Sequence, residues 1–252
     1  MLAIGLALAP LVIALVRWLV PERRVVFVRW GFSHVGLAVL LALVAGGFTL
    51  LFPVHGKLDL LTELFRTAFV QGAVCCYIVF TAERLDPEGG GSLGWRMQGV
   101  ARSLLAGFAA YVILFPTQLG SLYVWPWVLE VMGQDIAPQG LVEGFLDADG
   151  AVLPIAVLFT VVIVPLFEET LFRGFLQPLL VQNLNDGAGV VLTSLLFAML
   201  HGTSAFLPIF CLSLLLGGLM LRTQRLGVVW AVHGGHNALV VTIALLTSGQ
   251  GA

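Results

Sequence analysis

The last third of the chain sets costly polar side chains into apolar sequence. Glu168, Glu169 and Arg173 interrupt Val164-Pro165-Leu166-Phe167 and Leu171-Phe172. His201 closes Phe197-Ala198-Met199-Leu200, and His233, His236 and Asn237 interrupt the run from Val228 to Leu246. A carboxylate held among apolar groups is a capable general base near neutral pH. Glu168, beside His201, can take a proton from a water and direct that water at a carbonyl carbon. The resulting oxyanion needs donors, and the Asn237 amide with the His233 imidazole can supply two. Base, water and oxyanion donors together describe hydrolysis of an amide bond. Ser194, Ser204, Thr193 and Cys211 have no activating partner by spacing, so the pattern calls for no Ser or Cys nucleophile.

Helical geometry sorts these groups. At about 100° per residue, Glu169 and Arg173 lie about 40° apart, one turn removed, and should pair as ions. Glu168 lies about 140° from Arg173 and is the carboxylate left without a local partner. His233 and Asn237 share a face, while His236 points about 60° to the other side. Phe197 sits one turn below His201. Asn183-Leu184-Asn185-Asp186-Gly187 is a turn signal. A hairpin centred there sets Glu168 and His201 level, each roughly 20–25 Å along its helix.

These elements belong to an unusual chain. Of 252 residues, 59% are hydrophobic and 10% charged, with a net charge of −2. Soluble domains carry about 25% charged residues, so a soluble globule, a disordered chain and a nucleic-acid binder are excluded. The apolar runs are continuous and lack period-2 alternation, which selects helices over a barrel. The expected fold is an all-α polytopic membrane protein with about eight transmembrane helices and its catalytic core in the last four. The spans read Leu2–Leu19, Gly31–Phe52, Leu60–Ala82, Val100–Val128, Val152–Val181, Ala188–Leu200, Phe206–Leu221 and Val228–Leu246. Pro116 and Pro126 should break or kink the fourth. Tyr123-Val124-Trp125-Pro126-Trp127 has the composition of an interfacial aromatic belt. The sixth is short, which places its end near His201 inside the protein body.

Residues 1–150 carry helices without a recognised motif, and 151–247 form the catalytic transmembrane core. Nine arginines (17, 23, 24, 29, 84, 96, 102, 222 and 225) fall in connections of one side, against Lys57 and Arg66 on the other. The positive-inside rule then places both termini away from the cytoplasm. The 130–150 connection is acidic and reads as a solvated loop. Cys75, Cys76 and Cys211 read as small buried hydrophobes, and His34 and Gln71 as interhelical hydrogen-bonding residues. The residue style is that of a bacterial inner-membrane protein.

The three groups Glu168-Glu169…Arg173, Phe197…His201 and His233…Asn237, in that order on apolar helices, resemble the CPBP family of intramembrane proteases, which includes the CAAX endopeptidases. The resemblance covers roughly 150–245. It implies a glutamic-type endopeptidase acting near the terminus of a membrane-associated protein or peptide, at the lipid bilayer and without nucleic acid. In it Glu168 and His201 activate the water, His233 and Asn237 bind the oxyanion, Glu169–Arg173 is the supporting ion pair and Phe197 the motif aromatic. His236 has no counterpart. No cofactor is implied. The alternatives are a zinc metalloprotease, since one Glu and two His form a known ligand set, and a non-enzymatic scaffold or transporter using the same buried polar groups. The chain has no His-Glu-x-x-His, and its polar groups are confined to one half.

Overall fold

The computed structural model describes residues 27–51, 60–86, 91–96, 98–134 and 150–248, with five separate positions before residue 15. All but those five positions of the expected first span, Leu2–Leu19, and most of the acidic 130–150 connection lie outside the described residues. Among those described, all regular structure is helical: α1 Phe32–Leu50, α2 Leu60–Leu85, α3 Val100–Val131, α4 Val152–Asn183, α5 Asp186–Leu200, α6 Phe206–Thr223 and α7 Leu226–Ser248. These coincide with the second to eighth expected spans. Six are long and apolar enough to cross a membrane, and α5, at 15 residues, is the shorter one. The chain is an integral membrane protein.

Apolar residues cover these helices on every side, as expected where the outside is lipid. Leu43, Val112 and Leu200 are all exposed. Inward faces are chosen instead by small and shape-matched residues. Ala110, Leu216, Val229 and Val232 join α3, α6 and α7, while Ala38, Ile78, Ala82, Phe175 and Leu179 join α1, α2 and α4. α4 packs against α2, α5 and α7 and is the helix around which the site is built.

α3 continues as one helix through Pro116 and Pro126, because neighbouring helices in a bundle tolerate the lost backbone bond. Two expectations need correction. Cys76 is exposed while Cys75 is buried, since adjacent helical residues point about 100° apart and only one can face α4. His34 does not bridge helices in the contact it makes: its Nδ1 accepts the Gly31 N–H at 3.2 Å and caps its own helix.

Two widened turns interrupt α4, at Phe159–Ile163 and Thr170–Leu176. In the first, Val164 N–H reaches back five residues to the Phe159 carbonyl. The next residue, Pro165, has no N–H to give. The carbonyl of Thr160 is therefore without the helix partner it would otherwise have.

Candidate active site

α7 supplies what α4 lacks. Asn237 Nδ2 donates to the Thr160 carbonyl at 2.9 Å, and Trp230 Nε1 donates to the Val162 carbonyl at 2.9 Å. Between them, Gly234 lies directly against the Val161 carbonyl oxygen, where any side chain would collide with it. Spacing of three and four residues puts Trp230, Gly234 and Asn237 on one face of α7. Three consecutive carbonyls of α4 are thus met by one face of α7, and the fit fixes the register of His233.

Glu169 and Arg173 pair as expected, Nη1 to Oε1 at 3.0 Å, with both side chains fully buried. The guanidinium continues to Ser213 Oγ on α6 at 2.6 Å. It also lies over the Phe197 ring, 4.4 Å from its centre, a cation–π contact that a desolvated arginine favours. His233 Nδ1 lies 2.8 Å from the same Glu169 oxygen. A carboxylate paired with arginine only accepts, so Nδ1 donates and Nε2 is the nitrogen left facing outward.

His201 is oriented by a different device. Gly202 adopts a left-handed conformation, φ +81°, and ends α5 directly after His201, the usual place of glycine beyond a helix. The ring then folds back, with Nδ1 2.8 Å from the Phe197 carbonyl. A carbonyl oxygen only accepts, so this Nδ1 donates too, and Nε2 again faces outward.

Both Nε2 atoms face Glu168. His201 Nε2 is 3.9 Å from Oε1 and His233 Nε2 is 3.8 Å from Oε2. Phe197, buried completely, packs its ring on His201 at 4.5 Å and on His233 at 5.9 Å between centres. Its place one turn before His201 thus has a physical reason: one ring wedges both imidazoles and caps the arginine.

Of the sequence-derived residues, Glu168, Glu169, Arg173, Phe197, His201 and His233 converge. Asn237 stands one turn beyond His233, with one amide hydrogen committed to Thr160. His236 turns away to Tyr111, whose hydroxyl lies 2.9 Å from Nδ1. Two contributors escaped sequence reasoning in their actual role. Ser213 is an ordinary-looking serine in an apolar helix, with no spacing signal. Gln71 bonds across helices as read, but its partner is Glu168, Nε2 to Oε1 at 3.4 Å. Among the described residues, no three His, Cys, Asp or Glu side chains form a group able to hold a metal ion.

Residues 150–239 match the family model described as type II CAAX prenyl endopeptidase, Rce1-like. No curated protein and no solved structure matches the chain.

Proposed function

We propose that this membrane protein, whose residues 150–239 match the Rce1-like model of type II CAAX prenyl endopeptidases, is a protease that cleaves membrane-associated proteins or peptides near a terminus with a water activated by Glu168 and His201. One observation carries the reading. The outward Nε2 atoms of two histidines converge on the two oxygens of Glu168, while the neighbouring Glu169 is consumed by Arg173. The Nε2 of His201 presents an acceptor to the acceptor Glu168 Oε1, and what fits between the two is a proton donor. His233, held between the carboxylates of Glu169 and Glu168, is read as protonated on both ring nitrogens, with its Nε2–H facing Glu168 Oε2. A water bonded at about 2.8 Å to both Glu168 Oε1 and His201 Nε2 spans their separation at a bend of roughly 90°. That water loses its proton to Glu168 or His201 as it attacks the carbonyl carbon, and the same proton later goes to the leaving amine.

The oxyanion forms on the side of α7. His233, protonated on Nε2 as well as Nδ1, donates to it, and the Glu169 carboxylate on Nδ1 stabilises the imidazolium, as a buried Asp does for a catalytic His in serine proteases. Asn237 gives its second amide hydrogen. The bond to Thr160 sets the plane of that amide in advance, so no reorganisation is needed during the reaction. The reading uses no metal.

The test is cleavage of an internally quenched farnesylated peptide in detergent, with a comparison of protein termini in membranes carrying wild-type protein or the Glu168→Gln variant. Glu168→Gln and His201→Ala should each lose at least about 10²-fold in kcat while purifying as folded protein. Wild-type cleavage by either one refutes the mechanism.

A further inference from the structure

Gln71 lies on α2, outside the segment 150–239, and none of the three motifs includes it. Its Nε2 donates to Glu168 Oε1 at 3.4 Å, the oxygen that also faces His201. The placement is built by more than one contact. Gly72 lies against the Phe167 ring, and Cys75 Sγ donates to the Phe167 carbonyl at 3.5 Å. Residues 71, 72 and 75 thus register α2 on the backbone just before the glutamate.

The other end of the amide is the informative part. Gln71 Oε1 is buried and has no hydrogen-bond partner among the described residues. In an amide the oxygen and nitrogen sit about 2.2 Å apart on one carbon, so this oxygen stands within roughly 6 Å of Glu168 Oε1. A buried acceptor left unpaired is costly, and a peptide entering a membrane-embedded site brings backbone N–H groups that need acceptors there.

We infer that Gln71 is a positioning and substrate-binding residue: its N–H holds Glu168 Oε1, and its carbonyl oxygen accepts a backbone N–H of the peptide beside the scissile bond. This rests on Glu168 being the base. The two ends of the side chain do different work and separate experimentally. Leucine at 71 keeps the bulk and loses both ends. Glutamate keeps an acceptor oxygen and loses the donor to Glu168.

The experiment measures kcat and KM for Gln71→Leu, Gln71→Glu and Glu168→Gln on the internally quenched farnesylated peptide. If wild-type protein leaves that probe intact, the substrate is the membrane protein whose terminus depends on Glu168. Gln71→Leu should raise KM about tenfold and lower kcat about tenfold, one hydrogen bond each. Gln71→Glu should keep KM within about threefold and lower kcat. A role confined to helix packing changes the yield of folded protein but not KM, because KM does not depend on enzyme amount. Unchanged KM and kcat in Gln71→Leu, with Glu168→Gln inactive, overturns the assignment of Gln71 alone. Full cleavage by Glu168→Gln, or no Glu168-dependent terminus on any substrate, overturns the reading of the site and this inference with it.

Discussion

Replacing Gly234 by alanine tests whether the joint between α4 and α7 sets the geometry of the site. The added methyl would point into the Val161 carbonyl oxygen, a backbone atom that cannot rotate away. Carbon–oxygen contacts settle at about 3.3 Å or more, and reaching that distance moves the two helices apart by close to 1 Å. The neighbouring bonds cannot follow. Asn237 to Thr160 at 2.9 Å and His233 to Glu169 at 2.8 Å would stretch to nearly 4 Å, beyond hydrogen bonding. Losing one neutral and one charge-assisted bond costs about 2–4 kcal/mol. A misplacement of about 1 Å at a reacting centre costs about 10²-fold in rate. Gly218→Ala on α6, where nothing lies within 4 Å of the new methyl, is the matched control. It should be neutral or slightly stabilising, because alanine is the better helix former. The assay is thermal unfolding in detergent beside cleavage of the quenched peptide. If Gly234→Ala unfolds and cleaves like Gly218→Ala, the carbonyl joint does not position His233 and the reasoning fails.

Other perturbations address separate parts of the site. Glu169→Gln leaves Arg173 charged and unpaired in the interior, which should cost about 3–5 kcal/mol. The double variant Glu169→Gln/Arg173→Met should recover that stability in thermal unfolding yet still cleave at least about 10²-fold more slowly, because its His233 imidazolium has no counter-charge. Asn237→Ala strands the Thr160 carbonyl and should cost about 1–3 kcal/mol, together with a fall in kcat at nearly constant KM. A chelator strong enough to strip zinc should leave the rate of purified protein unchanged, and loss restored by added zinc would favour the metal reading instead.

Much of this architecture is legible in the residues because a membrane makes polar groups conspicuous. The hairpin at 183–187 is visible in its turn residues, and the Asn185 side chain does cap α5 by accepting the Ala188 N–H at 2.9 Å. The i,i+4 spacing of Glu169 and Arg173 identifies their pairing, and the closure of Glu168 on His201 follows from counting residues back to that turn. The widened turns of α4 are less visible. Pro165 shows that a carbonyl is orphaned but not that Asn237, 77 positions away in the chain, will claim one. Nor does an apolar helix announce which face meets protein, since lipid and core favour the same side chains. That is why Gln71 could be read as a bridging residue without its partner, and why Cys76 was expected inside.

The shortness of α5 has a consequence for the supply of water. Fifteen residues rise about 22 Å, less than the roughly 30 Å hydrocarbon thickness, so both ends cannot reach the membrane surfaces. Asn183, Asn185 and Asp186 need solvent at one end. The other end, where α5 stops at His201, therefore lies below the surface. There the chain continues as irregular backbone through Gly202 and Thr203, both exposed. Backbone of that kind at membrane depth is stable only against protein or water. The Thr203 carbonyl is taken by Trp125 Nε1 at 2.6 Å, and the exposed groups that remain need polar partners there. A helix too short for its membrane thus leaves the bend beside His201 below the membrane surface, on the side from which the proposed mechanism would have to draw the water that Glu168 activates.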